Sequence, residues 1–361
     1  MTEPDHVSGP APNARRGFAL ALGAAASFGL GIPLIQRASE GVGSFFAAAL
    51  LYAGAALSCG FSLAWTTPRA RGEAPLGRPQ LPLLVGIAVL GAALSPAALI
   101  WGLARTSGLS AALLLNAEGA FTVLLARLLE SERLGGRLVL AVTLIFAGSA
   151  LVALGEVSGG PGTGGIVGVL AVAAATLGWA TDSTLASRLS GFDPRAVVAA
   201  KSAIGAVLSI ALALTLGESG PVLLAAAALV AIGSVSYGAS LMLYLSAQRI
   251  LGAGRAGAVF SVGPFFGALL ALALGDRTGS WIVAPAALLL VSGVGLQIAE
   301  RHAHAHRHAG LAHDHRHGHD DGHHDHLHDP MPASPHSHVH AHDERVHAHP
   351  HTDDAHHRHR H

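Results

Sequence analysis

With 361 residues, 51% of them hydrophobic and only 12% charged, the chain has a mean hydropathy of +0.48. That is too little charge to cover the surface of a soluble protein of this length, so the composition excludes the ordinary soluble classes and favours a polytopic membrane protein. The formal net charge of zero hides a division: every histidine except His6 lies after Glu300, so an apolar body carries a polar tail.

One cysteine, Cys59, excludes an internal disulfide framework. Residues 1–16 read as a short cytoplasmic arm ending in Arg15 and Arg16. The apolar run behind that pair has no small-residue cleavage site with a soluble domain after it, so it reads as an uncleaved first helix. Crossing about 30 Å of hydrocarbon takes roughly 20 apolar residues. Such windows recur at Gly17–Ile35, Ser44–Trp65, Leu81–Ala104, Ser110–Leu129 and Leu138–Gly155, then at Gly165–Ser187, Ala196–Leu216, Val222–Ala247, Gly257–Leu274 and Trp281–Ile298.

The basic residues support this count. With the N-terminus inside, the inner segments hold Arg15, Arg16, Arg69, Arg71, Arg78, Arg127, Arg133, Arg137, Arg188, Arg195, Lys201, Arg249 and Arg255. The outer segments hold Arg37, Arg105 and Arg277. The positive-inside rule asks for this asymmetry, and an even span number puts both termini in the cytoplasm of a bacterial-type inner membrane.

The body is also an internal repeat. Aligning Arg105 with Arg249 brings Phe121 onto Phe265, Glu132 onto Asp276 and Arg133 onto Arg277, while Ser27-Phe28-Gly29-Leu30 matches Thr176-Leu177-Gly178-Trp179. Five spans per half is odd, so the halves, residues 17–155 and 156–300, enter the membrane in opposite senses. That is the inverted-repeat plan of secondary transporters, with a site expected near the midplane between halves. The predicted fold is an all-α polytopic membrane protein of about ten transmembrane helices in two inverted five-helix repeats, plus a disordered His-rich tail.

The run WGLARTSGLSAALLLNAEGAFTVLLARLLESERL, the sixth-span GWATDSTLASRL and Lys201 in the seventh span together resemble the EamA family of the drug/metabolite transporter superfamily, over about residues 17–300. In that family the fourth span carries a Glu-Pro pair, an aromatic residue and a Gly-Glu-Arg-like exit. Glu118, Phe121, Glu132 and Arg133 match, but Gly119 replaces the proline and Ser131 the glycine. The ninth span keeps Pro264 and the Gly275-Asp276 exit without a glutamate at the Glu118 position. The resemblance implies a membrane transporter, and spans without histidine or a pair of acids at helical spacing favour small organic metabolites or drugs over metal ions as cargo.

Glu118 lies about nine residues into its span, roughly 14 Å at 1.5 Å per residue, near the bilayer centre. A charge there is costly, which makes it a functional hypothesis: an acid that takes up and releases a proton during alternating access. Asn116, Phe121, Thr122 and Trp179 are the candidate neighbours of a substrate or proton site. The bland reading is a protonated acid bonded to the next helix. Asp182 and Lys201, the one lysine in the chain, sit about 9 Å in from the inner side on consecutive antiparallel helices. They read as a structural ion pair or a cytoplasmic gate. Pro33, Pro96, Pro264 and Pro285 fall in or beside spans and permit kinks. Trp179, Tyr52 and Tyr237 are candidate pocket walls, whereas Trp101 and Tyr244, near span ends, fit the interfacial belt.

The tail, residues 301–361, alternates histidine with Ala, Arg, Asp and Gly, a composition that cannot bury a core. With an unperturbed pKa of about 6.5, many of its imidazoles are neutral at cytoplasmic pH. His302, His304, His306, His308, His313, His315, His317, His319, His323, His324, His326 and His328 are therefore candidate ligands for Zn, Ni, Co or Cu without a fixed tetrad. No nucleophile–base pair, phosphate loop or nucleotide motif appears, so neither an enzyme nor an ATP-driven pump is expected. No cofactor is required, and no nucleic-acid partner is expected. The bilayer, a small-molecule substrate, divalent metal ions and a homodimeric copy are the candidate partners. Two alternatives stand beside proton-coupled or facilitated organic-solute export: a divalent-metal transporter with the tail as sensor or chaperone, and a non-transporting anchor whose tail stores metal.

Overall fold

The computed structural model describes residues 12–64, 76–130, 135–158, 165–189, 192–251, 253–276 and 280–299 of the body, and backbone stretches of the tail. Among the described residues, ten helices are long and apolar enough to cross a membrane, in the expected order. Helices α1 (Pro12–Ala38) and α2 (Ser44–Ala64) are single rods. The third span is α3 (Leu81–Ile87), a π-helical segment Ala88–Leu94, and α4 (Ser95–Leu103). The fourth is broken into α5 (Gly108–Leu114) and α6 (Ala117–Glu130), and α7 (Gly136–Ser158) closes the first half.

The second half repeats this pattern. Helices α8 (Gly165–Ala186) and α9 (Pro194–Thr215) are rods. The eighth span is α10 (Leu223–Gly233), a π segment Ser234–Ala239 and α11 (Ser240–Leu251). The ninth is broken into α12 (Ala253–Phe260) and α13 (Gly263–Ala273), and α14 (Ser280–Ala299) ends the body. The fourth and ninth spans, expected to be continuous, are thus two half-helices each.

Local chemistry accounts for the ends. The Ser107 hydroxyl accepts from the Ser110 amide at 3.0 Å, and the Asp193 carboxylate from the Arg195 amide at 2.9 Å, each satisfying an orphan donor of a helix start. Pro194 follows Asp193 in the first turn of α9, where its missing N–H costs nothing. Hydroxyls turn back onto their own helix: buried Thr176 donates to the Val172 carbonyl at 2.7 Å and half-buried Thr184 to Ala180 at 2.8 Å. In hydrocarbon, such internal satisfaction is what permits a polar residue in a span.

The core lies between the halves. Helix α1 packs on α11 and α13, α2 on α9 and α10, α4 on α8, and α7 on α14. One apolar cluster runs from Phe28, Ile32 and Leu51 through Leu99 and Leu113 to Trp179, Tyr237 and Leu290. Glycine sets some of the closest approaches. A Cβ on Gly29 would strike the Gly263 carbonyl, and one on Gly233 the Leu51 backbone, so α1–α13 and α2–α10 meet nearly backbone to backbone. Large apolar side chains also face outward, among them Phe61, Leu128, Leu223, Leu269 and Trp281, the last 74% exposed. A water-facing surface so apolar would aggregate, whereas lipid accommodates it.

Within the tail, expected to be disordered, four short stretches are extended and paired. β1 (Ala303–His308) runs antiparallel to β4 (Arg345–Pro350), and β2 (Leu311–His317) to β3 (His336–His342). Alternation of histidine with other residues has the two-residue period of a strand. Of the candidate metal ligands, His304, His306, His308, His313, His315 and His317 lie in these strands. His302, His319, His323, His324, His326 and His328 lie outside the described residues.

Candidate functional site

Five of the proposed site residues, Asn116, Glu118, Trp179, Asp182 and Lys201, converge where the distorted spans meet. The break in the fourth span leaves the Leu113 carbonyl without its helical partner. The Asn116 side-chain amide donates to it at 2.9 Å, and the Asn116 backbone amide at 3.2 Å. Asn116 is 1% exposed, and its Oδ1 has no hydrogen-bond partner. Two residues on, Glu118 sits in the first turn of α6, where the helix dipole favours negative charge. Its carboxyl faces the Ser183 hydroxyl of α8 and lies within electrostatic range of Asp182 and Lys201.

On α8, Trp179, Asp182 and Ser183 share one face by their three- and four-residue spacing. The Lys201 ammonium of α9 donates to Asp182 Oδ2, joining the pair expected from the sequence. Both side chains are about 5% exposed, and the second oxygen, Oδ1, has no partner. The sequence separated a proton site around Glu118 from an ion pair at Asp182 and Lys201. The structure joins them into one cluster of three charges.

The π segment of the third span supplies the floor. A π turn shifts the backbone bonding by one residue and frees a carbonyl, a device frequent at functional sites. Here the Gly91 carbonyl accepts from the Tyr52 hydroxyl at 2.5 Å and from the Trp179 indole at 2.9 Å. Gly91 also makes room for Asp182, because a Cβ there would overlap that carboxylate. One glycine therefore takes the side chains of α2 and α8 onto a single backbone position.

Around these groups lies an aromatic wall drawn from both halves. Phe28 meets Trp179 and Tyr237 edge-on at 5.8 and 5.9 Å between ring centroids, and Phe260 at 5.5 Å. Tyr52 packs on Tyr237 at 5.0 Å and Tyr244 on Phe260 at 4.6 Å, both with tilted rings. All three tyrosines of the chain belong to this wall. Tyr237 lies in the second π segment, 2% exposed, with its hydroxyl unpartnered. Asn116, Asp182 and Tyr237 thus each leave a polar atom open beside large π faces.

Other expectations land elsewhere. Phe121 packs its ring on Phe146 of α7 at 5.3 Å and does not join the aromatic wall. Thr122 bonds back to the Glu118 carbonyl at 2.9 Å. Tyr244, read as an interfacial belt residue, turns inward instead. Trp101 stays at a span end, 37% exposed, with the Arg105 guanidinium 3.5 Å over its ring. Pro33 is buried inside an uninterrupted α1, so it marks no break. Pro96 lies two residues past the first π segment, and Pro264 two residues past the turn Ser261–Val262 that breaks the ninth span. Gly91, Phe28, Phe260 and Ser183 were missed. A lone glycine or phenylalanine in an apolar span carries no local signal of its neighbours.

The comparisons with known proteins agree with this architecture. The family model described as EamA-like transporter family matches twice, over residues 15–154 and 166–298. A curated protein of Methanothermobacter thermautotrophicus, named only as an uncharacterized transporter, is 29% identical over 226 residues. The match takes in 62% of this chain and 66% of that protein, so the chain spans just under two thirds of its relative's length. A solved crystal structure superposes with a TM-score of 0.57 at 22% identity, covering 80% of this chain and 99% of the other, which shows the shared fold. With both halves matched, the chain belongs to the EamA-like transporter family.

Proposed function

We propose that the protein is a secondary transporter that exports small organic metabolites or drugs across an inner membrane, with both termini cytoplasmic and transport coupled to protons at Glu118. The observation that carries this reading is Glu118 itself. It is a carboxylic acid at a break in a membrane span, facing Ser183 and in electrostatic range of Asp182 and Lys201. A carboxylate at such a place binds a proton when water withdraws and loses it when the site opens, which is the switch an exchanger needs. The aromatic wall supports an organic rather than an ionic cargo. Among the described residues, no three His, Cys, Asp or Glu side chains are grouped as a metal site would require.

The test is flux in proteoliposomes with an imposed proton gradient, using a panel of amino acids, nucleosides and aromatic amines. A solute driven by the gradient in wild type and not in Glu118→Gln supports the reading. Gradient-driven flux that survives Glu118→Gln overturns it.

A second reading concerns the tail. The strand register sets His313 opposite His340, His315 opposite His338 and His317 opposite His336, supporting a divalent-cation store or sensor. Calorimetric zinc titration of the full chain and of a chain ending at Glu300 separates tail from body. Heat of binding retained after truncation counts against this reading.

A further inference from the structure

We propose that Glu218, Asp276 and Arg37 form a charge latch that clamps the two halves together across the arginine-poor face and so controls opening of that face. Each latch residue reaches from one half to a helix end of the other. The Glu218 carboxylate, in the loop between α9 and α10, accepts from the Phe45 amide at 2.9 Å and the Phe46 amide at 3.1 Å, at the start of α2. The neighbouring Gly43 amide donates to the Ser219 carbonyl at 3.0 Å, zipping the same loop onto the α1–α2 turn. Asp276, just past α13, accepts from the Leu109 amide at the start of α5 at 3.0 Å. Arg37, at the end of α1, donates to the Leu274 carbonyl at the end of α13 at 3.0 Å.

All three contacts put a charge on the helix end of opposite sign: carboxylates on N-terminal amides, a guanidinium on a C-terminal carbonyl. Ordinary capping does not explain them, since a cap is usually supplied from the adjoining residues. Helix α5 already has such a cap in Ser107, and Asp276, 167 residues beyond Leu109, comes from the opposite half. Space is kept for the latch as well. A Cβ on Gly43 would overlap the Glu218 side chain, and one on Gly108 would meet the Gln36 amide oxygen and approach Asp276. If one half rocks against the other, as inverted-repeat transporters do, these contacts must break together.

The proposal goes beyond the Glu118 reading, and its test needs no substrate. In a Cys59→Ala background the chain has no thiol. A reporter, Ala268→Cys, is then placed in α13, eight residues before Asp276 and 7% exposed as alanine. A second, Ala247→Cys, sits at a fully buried position in α11 towards the other face. The maleimide labelling rate of each is measured in nanodiscs, where both faces are wet. Removing a latch by Glu218→Ala or Asp276→Ala is expected to raise labelling at 268 roughly 5–30-fold, the effect of one or two such contacts on a two-state equilibrium. Labelling at 247 stays level or falls. Unchanged labelling at 268 overturns the proposal. If labelling rises at both positions, the fold has loosened, and Glu218→Gln, which keeps the volume and removes the charge, is read by the same criterion. A rise at 268 alone then supports the latch, and no rise refutes it.

Discussion

Asp182 and Lys201 are the best-defined charges in the membrane part of the protein, and their pairing decides what each substitution does. Two buried ions in contact tolerate joint replacement better than the loss of one, because a lone partner is left charged and dry. Asp182→Asn and Lys201→Met are each expected to destabilise the protein by about 3–5 kcal/mol. The double variant Asp182→Leu/Lys201→Met is expected to recover most of that, read as thermal unfolding in detergent. Equal damage from the double and single variants would show that the pair does more than neutralise itself. At this scale the sequence was informative about charge and silent about aromatic neighbours. Glu118, Asp182 and Lys201 stand out because charge is rare in a span. Their merger into one cluster was hidden, because depth along a helix says nothing about its rotation. The aromatic at 121 followed the family pattern, yet it packs on Phe146 because α6 turns that side toward α7.

The decisive elements are the irregular ones. The π segments Ala88–Leu94 and Ser234–Ala239 fall in the third and eighth spans, and the breaks at Leu115–Asn116 and Ser261–Val262 in the fourth and ninth, so both devices recur in the two halves. Substituting Gly91→Ala is expected to push the Asp182 carboxylate away from its seat, lowering stability by about 1–3 kcal/mol and lowering transport. Tyr52→Phe removes one of two donors to the Gly91 carbonyl and is expected to cost about 0.5–1.5 kcal/mol, since the Trp179 indole still donates. Thermal unfolding of the two variants side by side checks the order. Tyr52→Phe proving the more damaging would contradict the role given to Gly91. Span number and approximate limits were legible from apolar length, but the distortions were not. Only Pro96 and Pro264 hinted at them, each lying just after an irregular stretch, while Pro33 sits inside α1 without interrupting it.

Across the whole molecule, two halves of one design bury their apolar faces on each other and turn a second apolar surface to lipid. The tail is expected to be dispensable for this body. A chain ending at Glu300 should keep its helical circular dichroism and its flux while losing nearly all zinc binding. Loss of flux on truncation would instead tie the tail to transport. The repeat, the ten spans and the family were all legible in the sequence, because they rest on hydropathy, arginine distribution and self-similarity. Strand pairing in the tail was less so, since histidine-rich sequence reads first as composition and only then as a two-residue period. The most direct test of the whole account is proton-driven flux in proteoliposomes carrying wild type or Glu118→Gln at equal reconstitution. Gradient-driven accumulation should vanish in the variant while its unfolding temperature stays near that of wild type. Undiminished accumulation would show that the coupling proton binds elsewhere.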